Sequence, residues 1–137
     1  MSSPRKLFMI LSITLSTASI WAVLDVRPVN HGCSGKIDPL NNYQPLVDQV
    51  SDDLIALTPI QNFNYYNERE EGKSASYGHG LCTRGISGEE CRTCLHVANV
   101  LRIQGCGFVY ESQVTLMNCH MRISKYDFKW DTAEPII

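Results

Sequence analysis

CTRGISGEECRTCLHVANVLRIQGCGFVYESQVTLMNC, residues 82–119, holds five of the six cysteines in this 137-residue chain. Its best-marked feature is Ser87-Gly88-Glu89-Glu90. A serine followed three residues later by a glutamate is a capping box, in which each side chain satisfies a helix-start N–H group. Leu95, Val97, Ala98 and Leu101 then supply an apolar face, and Gly105 follows the last periodic residue as a stop signal. Cys91 and Cys94 therefore lie one turn apart on the same side of a helix. Each can staple that helix to a different neighbouring strand.

Six cysteines leave the connectivity open, and their chemistry depends on the compartment. A helix N-terminus lowers thiol pKa, so Cys91-x-x-Cys94 has the form of a redox pair. Four competing cysteines argue against that use. Cys91, Cys94, Cys119 and His120 also make a nominal zinc set, but neighbours on a strand point to opposite faces, which separates Cys119 from His120. An oxidising compartment favours structural disulfides instead, with no metal and no cofactor.

The N-terminus points to such a compartment. Arg5 and Lys6 precede an apolar run, Leu7 to Leu15, and the small residues Ser16, Thr17, Ala18, Ser19 and Ala22 follow. This is the pattern of a secretory signal peptide, assigned to residues 1–22, with cleavage after Ala22 or Ala18. The run is shorter than the roughly 20 residues a membrane span needs. Residues 23–137 are then one secreted module in the apoplast with no further membrane span. Loss of Arg5 and Lys6 takes the basic residues from 12 to 10 against 14 acidic ones, a net charge near −4. That balance excludes a backbone-driven nucleic-acid binder. The chain contains no N-x-S/T sequon, repeat or low-complexity tract.

Asn41 to Leu57 carries Leu46, Val47, Val50, Leu54 and Leu57 at helical spacing, with Pro45 in the first turn and Pro59 beyond the end. Phe63 to Tyr66 is a short aromatic strand, Asn67 to Lys73 a polar turn, and Ser74 to Cys82 a second strand whose glycines permit close backbone approach. Gln113 to Asn118 and Met121 to Ser124 are strand-like, and Tyr126, Phe128 and Trp130 alternate near the end. Two helices among short antiparallel strands give an α+β reading.

The run Cys82-x8-Cys91-x2-Cys94-x11-Cys106-x12-Cys119 resembles the plant ginkbilobin-type antifungal domain, also found in the ectodomains of cysteine-rich receptor-like kinases and in cysteine-rich repeat secretory proteins. Tyr77-Gly78 ahead of Cys82, the Ser87 helix start, Gln113-Val114-Thr115-Leu116 and Phe128 extend the resemblance over residues 24–130. It is to the short secreted, single-domain members that the chain is most similar. The resemblance implies two helices packed on a five-stranded antiparallel sheet, with disulfides Cys33–Cys106, Cys82–Cys91 and Cys94–Cys119. It also implies plant defence by inhibition of fungal growth, linked to binding of mannose in cell-wall glycans.

The family's sugar site uses an Asn directly after the first cysteine, an Arg six before the last and a Glu five after it. In this chain those positions hold Ser34, Gln113 and Ser124. Neutral groups replace the charged donor and acceptor, and charge-assisted hydrogen bonds are about twice as strong as neutral ones. Arg122 and Lys125 lie close by in sequence. The four histidines, His31, His79, His96 and His120, fall on different elements, with no serine elbow or HExxH pattern, so no enzyme is expected. Two alternatives to sugar recognition remain. One is a protease inhibitor that presents Arg84 on the Cys82–Cys91 loop. The other is an extracellular module that binds a protein partner and no sugar.

Overall fold

The computed structural model describes residues 24–36, 43–107 and 109–129. The proposed signal segment and Trp130 lie outside them. Strand β1 (Pro28–Lys36) is followed by helix α1 (Tyr43–Leu57) and a short 3-10 turn, Thr58–Ile60. Strands β2 (Asn64–Glu71) and β3 (Ser74–Cys82), helix α2 (Gly88–Cys106), and strands β4 (Val109–Leu116) and β5 (Cys119–Ser124) complete the order. The strands form one antiparallel sheet in the order β1-β4-β5-β3-β2. This is the α+β architecture of two helices, five strands and three disulfides.

Both helices cover one face of the sheet. Helix α1 buries Leu46, Val47, Val50 and Leu54, one turn-by-turn stripe, against β3 and β2. It sits so low that a Cβ on Gly78 would collide with the Val50 side chain, and one on Gly80 with Thr58. The glycines of β3 are thus the floor on which α1 rests. Helix α2 packs on β4 and β5. Its capping box is formed: the Ser87 N–H donates to Glu90 Oε1 at 2.9 Å, and the Glu90 N–H donates to Ser87 Oγ at 3.1 Å. The core joins Leu95 and Ala98 of α2 to Val114, Leu116, Met121 and Ile123 of the sheet.

The cysteines pair as Cys33–Cys106, Cys82–Cys91 and Cys94–Cys119. Every bond runs from α2 to the sheet, reaching β1, β3 and β5 in turn. Cys91 and Cys94, one turn apart, do staple the helix to two different strands. The redox pair and the zinc set are both ruled out for the oxidised chain, since Cys91 and Cys94 are bonded elsewhere.

Several local readings change. The polar run Asn67 to Glu71 is strand, with the turn confined to Gly72-Lys73, because it pairs with β3 from Gly78 back to Ser74; Asn67 and Arg69 also reach across to Asp53 of α1 at 2.6 and 2.8 Å. Gly105 lies inside α2, and Gly107, with φ of 64°, ends it. The buried stripe of α2 runs Cys91, Cys94, Leu95, Ala98, Arg102, so Arg102 occupies a place the apolar pattern assigned to Leu101. Asn99 Oδ1 accepts from Arg102 Nε and Nη2 at 3.1 and 2.8 Å, which partners the buried guanidinium. Tyr126 and Phe128 form no strand. The fifth strand is β1 instead.

Candidate functional site

Side chains alternate across a strand, so the sheet face away from the helices is lined by every second residue. On β1 these are Gly32 and Ser34, and on β4 Glu111, Gln113 and Thr115. On β5 they are His120, Arg122 and Ser124, and on β3 Tyr77 and His79. Tyr66 of β2 stacks on His79. Chain beyond β5 folds back over this face. Phe128, only 8% exposed, covers the Arg122 guanidinium with 4.2 Å from Cζ to the ring centroid.

At the β1 edge, Gly32, Cys33, Ser34, Glu111 and Gln113 line a shallow cavity of about 190 Å³. The register sets Gly32 opposite Gln113 and Ser34 opposite Glu111. Two of the three sugar-site positions, Ser34 and Gln113, are therefore brought together. Ser124 is not with them: it is 1% exposed, and its Oγ accepts from the Tyr126 N–H at 3.1 Å.

A charged pair stands at the cavity. Arg122 lies directly opposite Gln113, and its Nη2 donates to Glu111 Oε1 at 2.8 Å. Because Ser112 faces Ile123, the antiparallel ladder carries Glu111 to the place opposite Ser124. The resemblance puts the arginine on β4 and the glutamate on β5. This chain has the glutamate on β4 and the arginine on β5, each charge transposed to the partner strand. Sequence reasoning passed over Glu111, although its two-residue spacing from Gln113 put it on the same strand face. Lys125 is drawn elsewhere, with Nζ 4.4 Å from the Tyr110 ring centroid and 5.0 Å from that of Tyr126.

Deeper on the same face, His79 and His120 approach to 6.4 Å between ring centroids. His79 Nε2 lies 2.7 Å from Asn64 Oδ1, and His120 Nδ1 lies 2.7 Å from Thr115 Oγ1. Burial lowers the His79 pKa to about 4, with the Arg122 charge adding to it. Burial does the same to His120, again to about 4, helped by His79 and Arg122. Two histidines that look unrelated in sequence are one buried neutral pair. Each is held by a neighbour on the sheet, His79 by Asn64 and His120 by Thr115.

Arg84 is exposed at the tip of the turn between β3 and α2, next to Gly85 with φ of 98°. It borders an open hollow of about 350 Å³ with Pro59, Asn62, Phe63 and Gly85. The Thr83 N–H donates to the Asn118 carbonyl at 3.0 Å, which anchors the turn. Arg84 thus sits in a tight turn, while a protease cleft takes an extended segment.

The sequence profile of the salt stress response/antifungal family matches residues 31–126. No curated protein matches the chain. Among solved structures, the tandem DUF26 ectodomain of the Arabidopsis thaliana cysteine-rich receptor-like protein PDLP5 is similar, with a TM-score of 0.68 at 20% identity. The match covers 74% of this chain and 51% of that one. The tandem DUF26 ectodomain of PDLP8 from the same plant gives 0.70 at 18% identity, over 76% and 51%. The chain thus spans about half the length of either ectodomain. At these identities the structures establish a shared fold. With the profile covering both helices, all five strands save the start of β1, and all six cysteines, the chain belongs to the salt stress response/antifungal family.

Proposed function

We propose that this is a secreted plant defence protein that inhibits fungal growth by recognising mannose-containing cell-wall glycans at the β1–β4 cavity. Membership of the antifungal family supports the defence role. Likeness to receptor-like ectodomains supports an extracellular site of action, as does the secretory pattern of residues 1–22. Among the described residues no helix is long and apolar enough to cross a membrane.

The observation that carries the sugar reading is the Glu111–Arg122 pair at 2.8 Å beside Ser34 and Gln113. A sugar ring presents vicinal hydroxyls that both donate and accept. A carboxylate acceptor and a guanidinium donor held together on a rigid sheet match that pattern, and charge-assisted bonds to them outweigh neutral ones. The transposition restores both charges that positions 113 and 124 lack. Here Ser34 and Gln113 contribute neutral hydrogen bonds, and Ser124 holds the Tyr126 N–H at the end of β5.

Titration of the oxidised protein with mannose and fungal mannan, followed by NMR, tests this. Saturable shifts should cluster at Ser34, Glu111, Gln113 and Arg122. Glu111→Gln or Arg122→Gln should weaken affinity by about tenfold or more, the worth of one charged hydrogen bond. Hyphal growth assays on the same variants should follow the affinities. Absence of shifts up to tens of millimolar sugar would overturn the sugar reading and leave an extracellular module for a protein partner. The tight turn at Arg84–Gly85 gives protease inhibition no support.

A further inference from the structure

Cys33, Cys106 and His31 converge at the outer end of α2 in a way that disulfide bonding alone does not call for. His31 and Cys33 are two apart on β1 and point to the same side, toward the helix. His31 Nε2 lies 3.3 Å from Cys106 Sγ and 3.8 Å from Cys33 Sγ. The ring is seated against Gly105: a Cβ there would come within 2.5 Å of Nε2. Glycine inside a helix is less favourable than alanine, and here it makes room for an imidazole. Among the described residues, no other three His, Cys, Asp or Glu side chains gather so closely.

This disulfide also differs from the other two. Cys91, Cys94 and Cys119 are fully buried and Cys82 is 4% exposed, whereas Cys33 is exposed and Cys106 half-buried. A thiolate from solvent can reach the Cys33–Cys106 bond without opening the core. Its partner strand β1 lies at the sheet edge, paired only with β4.

We propose that Cys33, Cys106 and His31 form a redox-gated zinc site. A small-molecule dithiol reduces the bond by exchange: its two sulfurs join in a new disulfide, and Cys33 and Cys106 each leave as a thiol. Zinc then displaces one proton from each thiol to solvent and takes the neutral His31 Nε2 as third ligand. Zn–S bonds of about 2.3 Å and Zn–N bonds of about 2.0 Å set tetrahedral ligand–ligand edges of about 3.5 Å. The two nitrogen–sulfur distances already have that length, so only the sulfurs must separate, by side-chain rotation. Two thiolates and an imidazole suit a soft divalent ion, and the fourth position stays open to water.

The test uses the whole mature protein, treated with an immobilised phosphine that is removed before metal is added. Alkylation and mass spectrometry should show Cys33 and Cys106 freed first, with the circular dichroism of the folded domain retained. Cobalt(II), as the spectroscopic probe, should then bind one per chain, with thiolate charge-transfer bands in the near ultraviolet and tetrahedral bands in the visible. Zinc should displace it. His31→Ala should weaken cobalt binding by about tenfold or more and shift the visible bands. Gly105→Ala, which favours the helix while evicting the ring, should do the same. Three results would each overturn the proposal: unfolding on reduction of this bond, no charge-transfer band in the reduced protein, or His31→Ala and Gly105→Ala binding as the unaltered chain does.

Discussion

Tyr66 lies flat on His79, ring centroids 4.0 Å apart and planes within 8° of parallel, and seals a pair of neutral histidines beneath the outward sheet face. A desolvated imidazole resists protonation, and His120 behind it shares the same shelter.

Stability should therefore fall on acidification. Both folded pKa values, about 4, lie below the unfolded value near 6.5. The unfolded chain binds the extra protons, so the stabilisation is complete above pH 6.5 and is lost as pH drops from there toward 4. The loss is on the order of 2–3 kcal/mol per histidine by pH 4. Urea unfolding between pH 7.5 and 4 measures it. Imidazole resonances that titrate near 6.5 in the folded protein would refute the account.

Gly78→Ala should be among the most damaging single-methyl additions. The new Cβ meets Val50 and Leu54 of α1, and the helix cannot rise without opening the core. A cost of about 1–3 kcal/mol is expected from overpacking. Gly80→Ala, which drives into Thr58, should behave alike. Gly88→Ala is the control: the nearest atom to its Cβ is 3.7 Å away, on Pro59, and thermal melts should show no loss.

Ser87→Ala removes the side-chain half of the capping box. The Glu90 N–H loses its acceptor, and a loss of about 1 kcal/mol follows. Ser87→Asp should retain most of the stability, because a carboxylate accepts the same bond and suits the helix N-terminus. Equal melting of all three proteins would show that the tether at Cys91 already fixes the helix start.

Asn118 ties three segments together. Its Oδ1 accepts from the Asp25 N–H at 2.7 Å, its Nδ2 donates to Thr83 Oγ1 at 3.1 Å, and its carbonyl accepts from the Thr83 N–H at 3.0 Å. Asn118→Ala breaks the two side-chain bonds, for about 1–2 kcal/mol. Faster amide exchange at Asp25, with Thr83 unchanged, would distinguish this from a general loosening.

The sequence disclosed most where one local rule sufficed. The Ser87–Glu90 box marked the start of α2, and the strand Ser74 to Cys82 has the expected bounds. It disclosed least where tertiary partners decide. Strand β1, PVNHGCSGK, is polar and largely exposed, so no alternation marks it; pairing with β4 makes it a strand. Gly105 resembles a stop signal, yet in the fold it makes room for His31. Arg102 breaks the apolar stripe and is buried because Asn99, one turn earlier, accepts from it. Of the cavity's lining residues, Ser34 and Gln113 are the ones the family pattern singles out. The partnership of Glu111 and Arg122 depends on strand register, which spacing along one strand does not reveal.

All three crosslinks belong to α2, and of their cysteines Cys33 alone lines the β1–β4 cavity. In the proposed reading, the covalent frame and the recognition surface thus meet at one residue. Selection can rewrite Ser34, Glu111, Gln113 and Arg122 one at a time, even trading a charge between strands, without risking a mispaired cysteine. The two tandem DUF26 ectodomains share this scaffold at 18–20% identity.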